Sequence, residues 1–249
     1  MSFSKIALAS LKYHRRITTF YIIFLAITFC LLFIIDSLRV SLPYLYSHME
    51  DLLTSSGYSL EKQSILTSIQ EPVATVSRYY SLSQKAALLF FTVMFLIYFF
   101  ACQVVKEKEY FIWKHSGSTT LSWLYFNLLE AFFPFLIFAV AITIITMILQ
   151  HFWMGIVLSQ HLKTIESING IHTFTEQFGQ NDLGYLVVRF PRTNQALIQS
   201  ILLSSREWTK ILFISLGQTL LKLIFLIFPI QISAIGIHHY WRHKFGTND

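Results

Sequence analysis

Charge is scarce in this sequence. Only 13% of its 249 residues are Asp, Glu, Lys or Arg, where a soluble domain carries about a quarter. With 54% hydrophobic residues and a mean hydropathy of +0.55, that scarcity points to lipid. Cysteine is nearly absent: Cys30 and Cys102 both fall inside apolar runs, so no disulfide framework is expected. No G-x-x-x-x-G-K-[ST] run occurs, so the chain cannot cradle nucleotide phosphates in that way. H-E-x-x-H and paired C-x-x-C spacings are missing as well, which removes the commonest zinc patterns. The carboxylates are scattered, with no recognisable acid–base pair, and a non-catalytic chain is expected. No cleavable signal peptide is expected either, because the first apolar run is too long and has no small-residue cleavage site. The short alternating segments of an outer-membrane barrel are lacking too.

What is present is a set of long apolar runs. A helix needs roughly 20 apolar residues to cross a bilayer. Four such spans are read at about 17–37, 84–106, 127–150 and 215–238. The net charge of +6 sits in residues flanking these runs, so the positive-inside bias explains it better than nucleic acid does. Lys5, Lys12, Arg15 and Arg16 precede the first span. Lys106, Lys108 and Lys114 follow the second, and Arg242 and Lys244 follow the fourth. The longer loops, about 41–83 and 151–210, hold most of the acids. Both termini and the short middle loop are therefore expected in the cytoplasm of a multi-pass cell-membrane protein.

Helix starts refine these limits. Ser81 with Gln84 reads as a capping box before span two, and Ser118 as the cap of the lead-in to span three. Ser204 with Glu207 is another capping box, opening a helix from Ser205 to about Trp241. That length, roughly 54 Å, exceeds the bilayer core, so its first turns should stand outside it. Pro134 and Pro229 should kink spans three and four. In the first outer loop Leu60 to Ile69 reads as helix after a break at Gly57. The second is mixed: turn-rich at Gly179–Gly184, β-prone at Tyr185–Phe190, helical from Asn194 to Leu203. A small cap built by both loops is expected, and residues 1–249 form one membrane domain.

The middle loop, Val105 to Ser118, is charged and aromatic. Helix is expected to continue from span two through Lys114, with Gly117 taking the left-handed conformation that ends it. Phe111, Ile112 and Trp113 would then be exposed, either as membrane-interface anchors or for docking a partner. Glu130 can pair with Lys108 or Lys114, or stand as a plain interfacial carboxylate. Lys222, inside the fourth run, is either functional or a residue that snorkels to the outer interface. His239 and His243 share a helix face, but read as basic membrane anchors with Tyr240, Trp241 and Arg242 rather than metal ligands.

Together these residues resemble the FtsX/MacB-type permeases of ATP-binding cassette (ABC) transporters. The resemblance is carried by Glu109, Ile112, Trp113, Gly117, Ser118 and Glu130. The basic stretch from Lys5 to Arg16 is similar to the amphipathic helix before that family's first span, and the order of one span, an outer loop and three spans matches. The resemblance implies an all-α integral membrane protein with four transmembrane helices, an N-terminal amphipathic helix, a cytoplasmic coupling hairpin at 107–118 and small mixed extracellular loops. Lys108, Glu109, Phe111, Ile112, Trp113, Lys114 and Gly117 would form the site that docks a separate ATPase subunit. ATP and magnesium would be bound by that partner, with no cofactor in this chain. A second permease chain and the lipid bilayer would be its other partners. The function implied is ATP-driven movement of the outer loops, for export of peptides or of antimicrobial peptides, or resistance to the latter. The alternative is a non-transporting signalling protein that regulates a cell-wall hydrolase or sensor kinase. The loop between the first two spans, about 45 residues at 41–85, is short for this family.

Overall fold

A computed structural model describes residues 3–55, 62–167 and 203–245, and among them every element is a helix. The helices are α1 (Phe3–Tyr13), α2 (Arg15–Ser55), α3 (Lys62–Val105), α4 (Glu107–His115), α5 (Thr120–Ile148), α6 (Gln150–Ser167) and α7 (Ser205–Phe245). Four are long and apolar enough to cross a membrane: α2, α3, α5 and α7, with mean hydropathies of 2.2 to 2.6 in their most apolar windows. The break at Gly57, the turn at 179–184, the strand at 185–190 and nearly all of the helix at 194–203 lie outside the described residues.

The helices outrun the apolar stretches that define the spans. α2 has 41 residues and α3 has 44, or about 60 and 66 Å at 1.5 Å per residue, roughly twice the hydrocarbon thickness. Part of each therefore lies outside it. α2 continues past 37 and through Pro43 to Ser55. α3 runs without interruption through Ser81, so the expected capping box does not form there. The reason is visible at Gln84, which is buried. Its amide donates to the buried Asp36 carboxylate, and its oxygen accepts from Arg39 at 2.7 Å. A buried carboxylate needs a hydrogen-bond donor more than an exposed turn needs a cap. The Ser204–Glu207 box does form: Ser204 N–H donates to Glu207 Oε2 at 2.7 Å and Glu207 N–H to Ser204 Oγ at 3.3 Å.

The chain divides into two compact units, residues 1–32, 86–147 and 217–249 in one and 33–85 and 148–216 in the other. The second unit packs Leu38, Leu42, Val76, Tyr80, Val157, Leu203, Trp208 and Ile211 into one apolar core. Helix α6, which the sequence pattern did not single out, belongs to it. His161 of α6 is fully buried there. Its Nε2 lies 2.7 Å from Ser41 Oγ and its Nδ1 3.0 Å from the Tyr80 hydroxyl. Ser41 Oγ also lies 3.2 Å from the Leu38 carbonyl. One neutral tautomer uses every proton: Tyr80 donates to Nδ1, Nε2–H donates to Ser41, and Ser41 donates to Leu38.

Burial pulls the His161 pKa down from 6.5 to about 4. The unfolded chain takes up this proton as pH falls through 6.5, and the folded chain only near 4. Stability is therefore full above the upper value and is lost across the window between them, by on the order of 3 kcal/mol. Melting of the purified chain should shift down across that window, and His161→Gln should show a much smaller shift. Equal pH dependence in both proteins would contradict the neutral buried histidine.

Candidate functional site

The first unit carries the hairpin. α3 ends at Val105 and α4 begins at Glu107. Between them Lys106 sits at φ −86° and ψ 8°, in the bridge region. The expected uninterrupted helix through Lys114 thus has one break. The hydrogen-bond ladder nevertheless carries across it, with Lys106 N–H on the Cys102 carbonyl and Tyr110 N–H on the Lys106 carbonyl, each at 3.0 Å. The break accompanies the side chain's destination: Lys106 is buried and its ammonium pairs with Glu130 Oε2. Ser10 of α1 donates to the other oxygen, Glu130 Oε1, at 2.9 Å. Glu130 therefore takes Lys106 as its partner, not Lys108 or Lys114, both of which are exposed. One buried carboxylate ties together α1, the α3–α4 junction and α5.

α4 ends as its sequence implies. Gly117 has φ +79°. Ser118 N–H reaches the Trp113 carbonyl at 3.4 Å and Gly117 N–H the Lys114 carbonyl at 3.1 Å, the paired bonds of a Schellman motif. Ser118 is thereby used in the turn, and the α5 cap falls to Thr119, whose Oγ1 accepts from Ser122 N–H at 3.3 Å. A Cβ at Gly117 would meet nothing within 4 Å, so alanine there meets only backbone strain, about 1–2 kcal/mol. Gly117→Ala should lower the stability of the chain by that amount, and Gly117→Asn by less. A denaturant titration that ranks alanine equal to glycine would contradict the turn.

The aromatic residues divide. Trp113, expected on the outside, is half-buried. Its Nε1 donates to Ser122 Oγ at 3.1 Å, and its ring lies 5.2 Å from Phe126 and 5.9 Å from Trp123. Trp123, Phe126, Ala7 and Ile235 form the buried cluster against which Trp113 and Tyr110 pack. Glu109, expected in the docking site, instead pairs with His14 Nε2 just after α1, at 2.6 Å. Phe111 and Ile112 remain outside at 43% and 72% exposure, flanked by Lys108 and Lys114. The sequence does carry a signal for this division. Lys106, Tyr110 and Trp113 are spaced i, i+4, i+7, one helix face, and that is the face turned inward. Ser10 of α1 and His14 just after it repeat the four-residue spacing.

A polar band continues inside this unit. Gln103 Nε2 donates to Asn127 Oδ1 at 3.2 Å, Asn127 Nδ2 to the Trp123 carbonyl at 2.9 Å, and Gln231 Nε2 to the Asn127 carbonyl at 2.7 Å. Lys222 is half-buried on α7. His239 is exposed, with its ring edge-on to Tyr110 at 6.4 Å. Among the described residues no three His, Cys, Asp or Glu side chains gather as a metal site would require. Comparison of the chain with family models, with curated proteins and with solved structures finds no significant match.

Proposed function

We propose that this chain is the membrane subunit of an ABC transporter of FtsX/MacB type, and that α4 docks into a separate ATPase subunit. The observation that carries the reading is an exposed apolar pair, Phe111 and Ile112, on a helix fastened at three points. Trp113 fastens it to Ser122 of α5, Glu109 to His14 just after α1, and Lys106 to Glu130 of α5. A force applied to such an element passes into the spans instead of bending the hairpin. The Lys and Arg residues flanking the spans support a cytoplasmic position for α4, where an ATPase can reach it. The absence of a phosphate-binding loop from the sequence supports a partner that binds ATP and magnesium. A second permease chain completes the proposed assembly, and peptide antibiotics are its proposed cargo. Gentle solubilisation of the tagged chain from its native cells, followed by identification of what co-purifies, tests the reading. An ATPase subunit in stoichiometric amount is expected, and its consistent absence under conditions that keep the chain folded would overturn it.

A further inference from the structure

The first unit holds a small, half-open cavity, of about 40 Å³. Its wall is more apolar than polar, but Gln103, Lys106, Asn127 and Glu130 line it together with Tyr21 and Gln231. The first four have the partners described above. Two atoms do not. The Tyr21 hydroxyl and the Gln231 side-chain oxygen are both buried without a hydrogen-bond partner, on residues that are each 4% exposed. Both belong to membrane-spanning helices, where lipid offers no hydrogen bond in compensation. Such groups recruit a ligand when there is room for one.

The chemistry of the two atoms selects the ligand. The Gln231 oxygen only accepts, so the ligand must donate; the Tyr21 hydroxyl donates or accepts. The Lys106 ammonium and the Glu130 carboxylate on the same wall offset each other, so neither sign of charge is favoured over a neutral ligand. The volume exceeds the ~10–15 Å³ that one water requires. We propose that this cavity is a binding site for water, with one molecule donating to Gln231 Oε1 and hydrogen-bonded to the Tyr21 hydroxyl. The water joins the band that runs from Gln231 through Asn127 to Gln103. It also stands beside the Lys106–Glu130 pair and gives either charge a partner other than its own counter-ion. If α4 is moved by an ATPase, that alternative partner lets the pair part without leaving a bare charge in the bundle. This consequence rests on the coupling reading, whereas the hydration does not.

Radiolytic hydroxyl labelling tests the site directly, because a water held against a side chain oxidises it in place. The full-length chain in lipid nanodiscs is irradiated in H₂¹⁸O and its tyrosines are followed by mass spectrometry. Tyr21 should be oxidised at a rate comparable to the exposed Tyr13 despite its burial, and should carry ¹⁸O. Gln231→Leu and Gln231→Met should each lower Tyr21 labelling severalfold and leave Tyr13 unchanged. Tyr21 as unreactive as the buried Phe95 in the wild-type chain would overturn the site. That result with normal ATPase co-purification removes the water and leaves the coupling reading standing. Labelled Tyr21 without any ATPase does the reverse.

Discussion

Lys106→Ala is expected to destabilise the chain by about 3–5 kcal/mol, the usual cost of removing one member of a buried ion pair. The reason is the carboxylate left behind. Glu130 and Lys106 are 7% and 6% exposed, and without the ammonium Glu130 keeps only the Ser10 hydroxyl as a donor among the hydrogen bonds described above. Glu130→Ala should be comparably costly, because the lysine is stranded in the same place. Replacing both, as Lys106→Met with Glu130→Leu, should restore most of the loss, since a packed apolar pair often matches or exceeds a buried salt bridge. The cycle is measured by unfolding the four purified proteins in mixed micelles. Single variants within about 0.5 kcal/mol of wild type, the range of an ordinary surface substitution, would contradict the pinned junction.

Truncating the exposed pair should have the opposite profile. Phe111→Ala with Ile112→Ala removes side chains outside the buried cluster, 43% and 72% exposed, so the melting temperature should change little. Loss of ATPase association should be at least thirtyfold, or about 2 kcal/mol, because apolar side chains desolvated at the centre of an interface dominate its binding energy. Trp113→Ala belongs to the other class. Its indole lies among Trp123, Phe126 and Ser122, and its removal should cost about 3 kcal/mol or more of stability. Weakened association in that variant would follow from a loosened hairpin, so it is no test of docking. Stability and ATPase recovery measured on the same preparations separate the two classes. A melting point that collapses in the Phe111/Ile112 double variant, with Trp113→Ala unaffected, would invert the assignment of faces.

Much of the fold was legible in the residues. The four spans follow from uninterrupted apolar runs, because lipid leaves a backbone few alternatives to helix. Ser204 with Glu207 and the left-handed Gly117 were legible because capping and αL turns are local chemistry. Ser81 with Gln84 shows the limit of that reasoning. The same local pattern was overridden by Asp36, 48 residues away along the chain, and a buried carboxylate outcompetes an exposed turn. The extent of α2 was hidden because span one was bounded by its apolar run at about 37, whereas the helix runs on through Pro43 to Ser55. Trp113 and Glu109 were misplaced because the loop was read as a composition, charged and aromatic, instead of as a helix with two faces. A period of 3.6 applied from Lys106 onward puts Tyr110 and Trp113 with it and Ile112 opposite. The pairing of Glu130 with Lys106 required knowing that the helix breaks at that lysine, which no residue type near it announces.

The claim that bears the rest is that α4 meets an ATPase through Ile112. A photoreactive benzoylphenylalanine placed at Ile112 in the full-length chain, irradiated in native membranes, addresses it directly. The account predicts an adduct containing an ABC ATPase subunit, lost when the probe is moved to Leu89, which is exposed on a membrane-spanning helix. Adducts from Ile112 that contain only lipid or no protein, while the tagged chain remains folded and abundant, would contradict it.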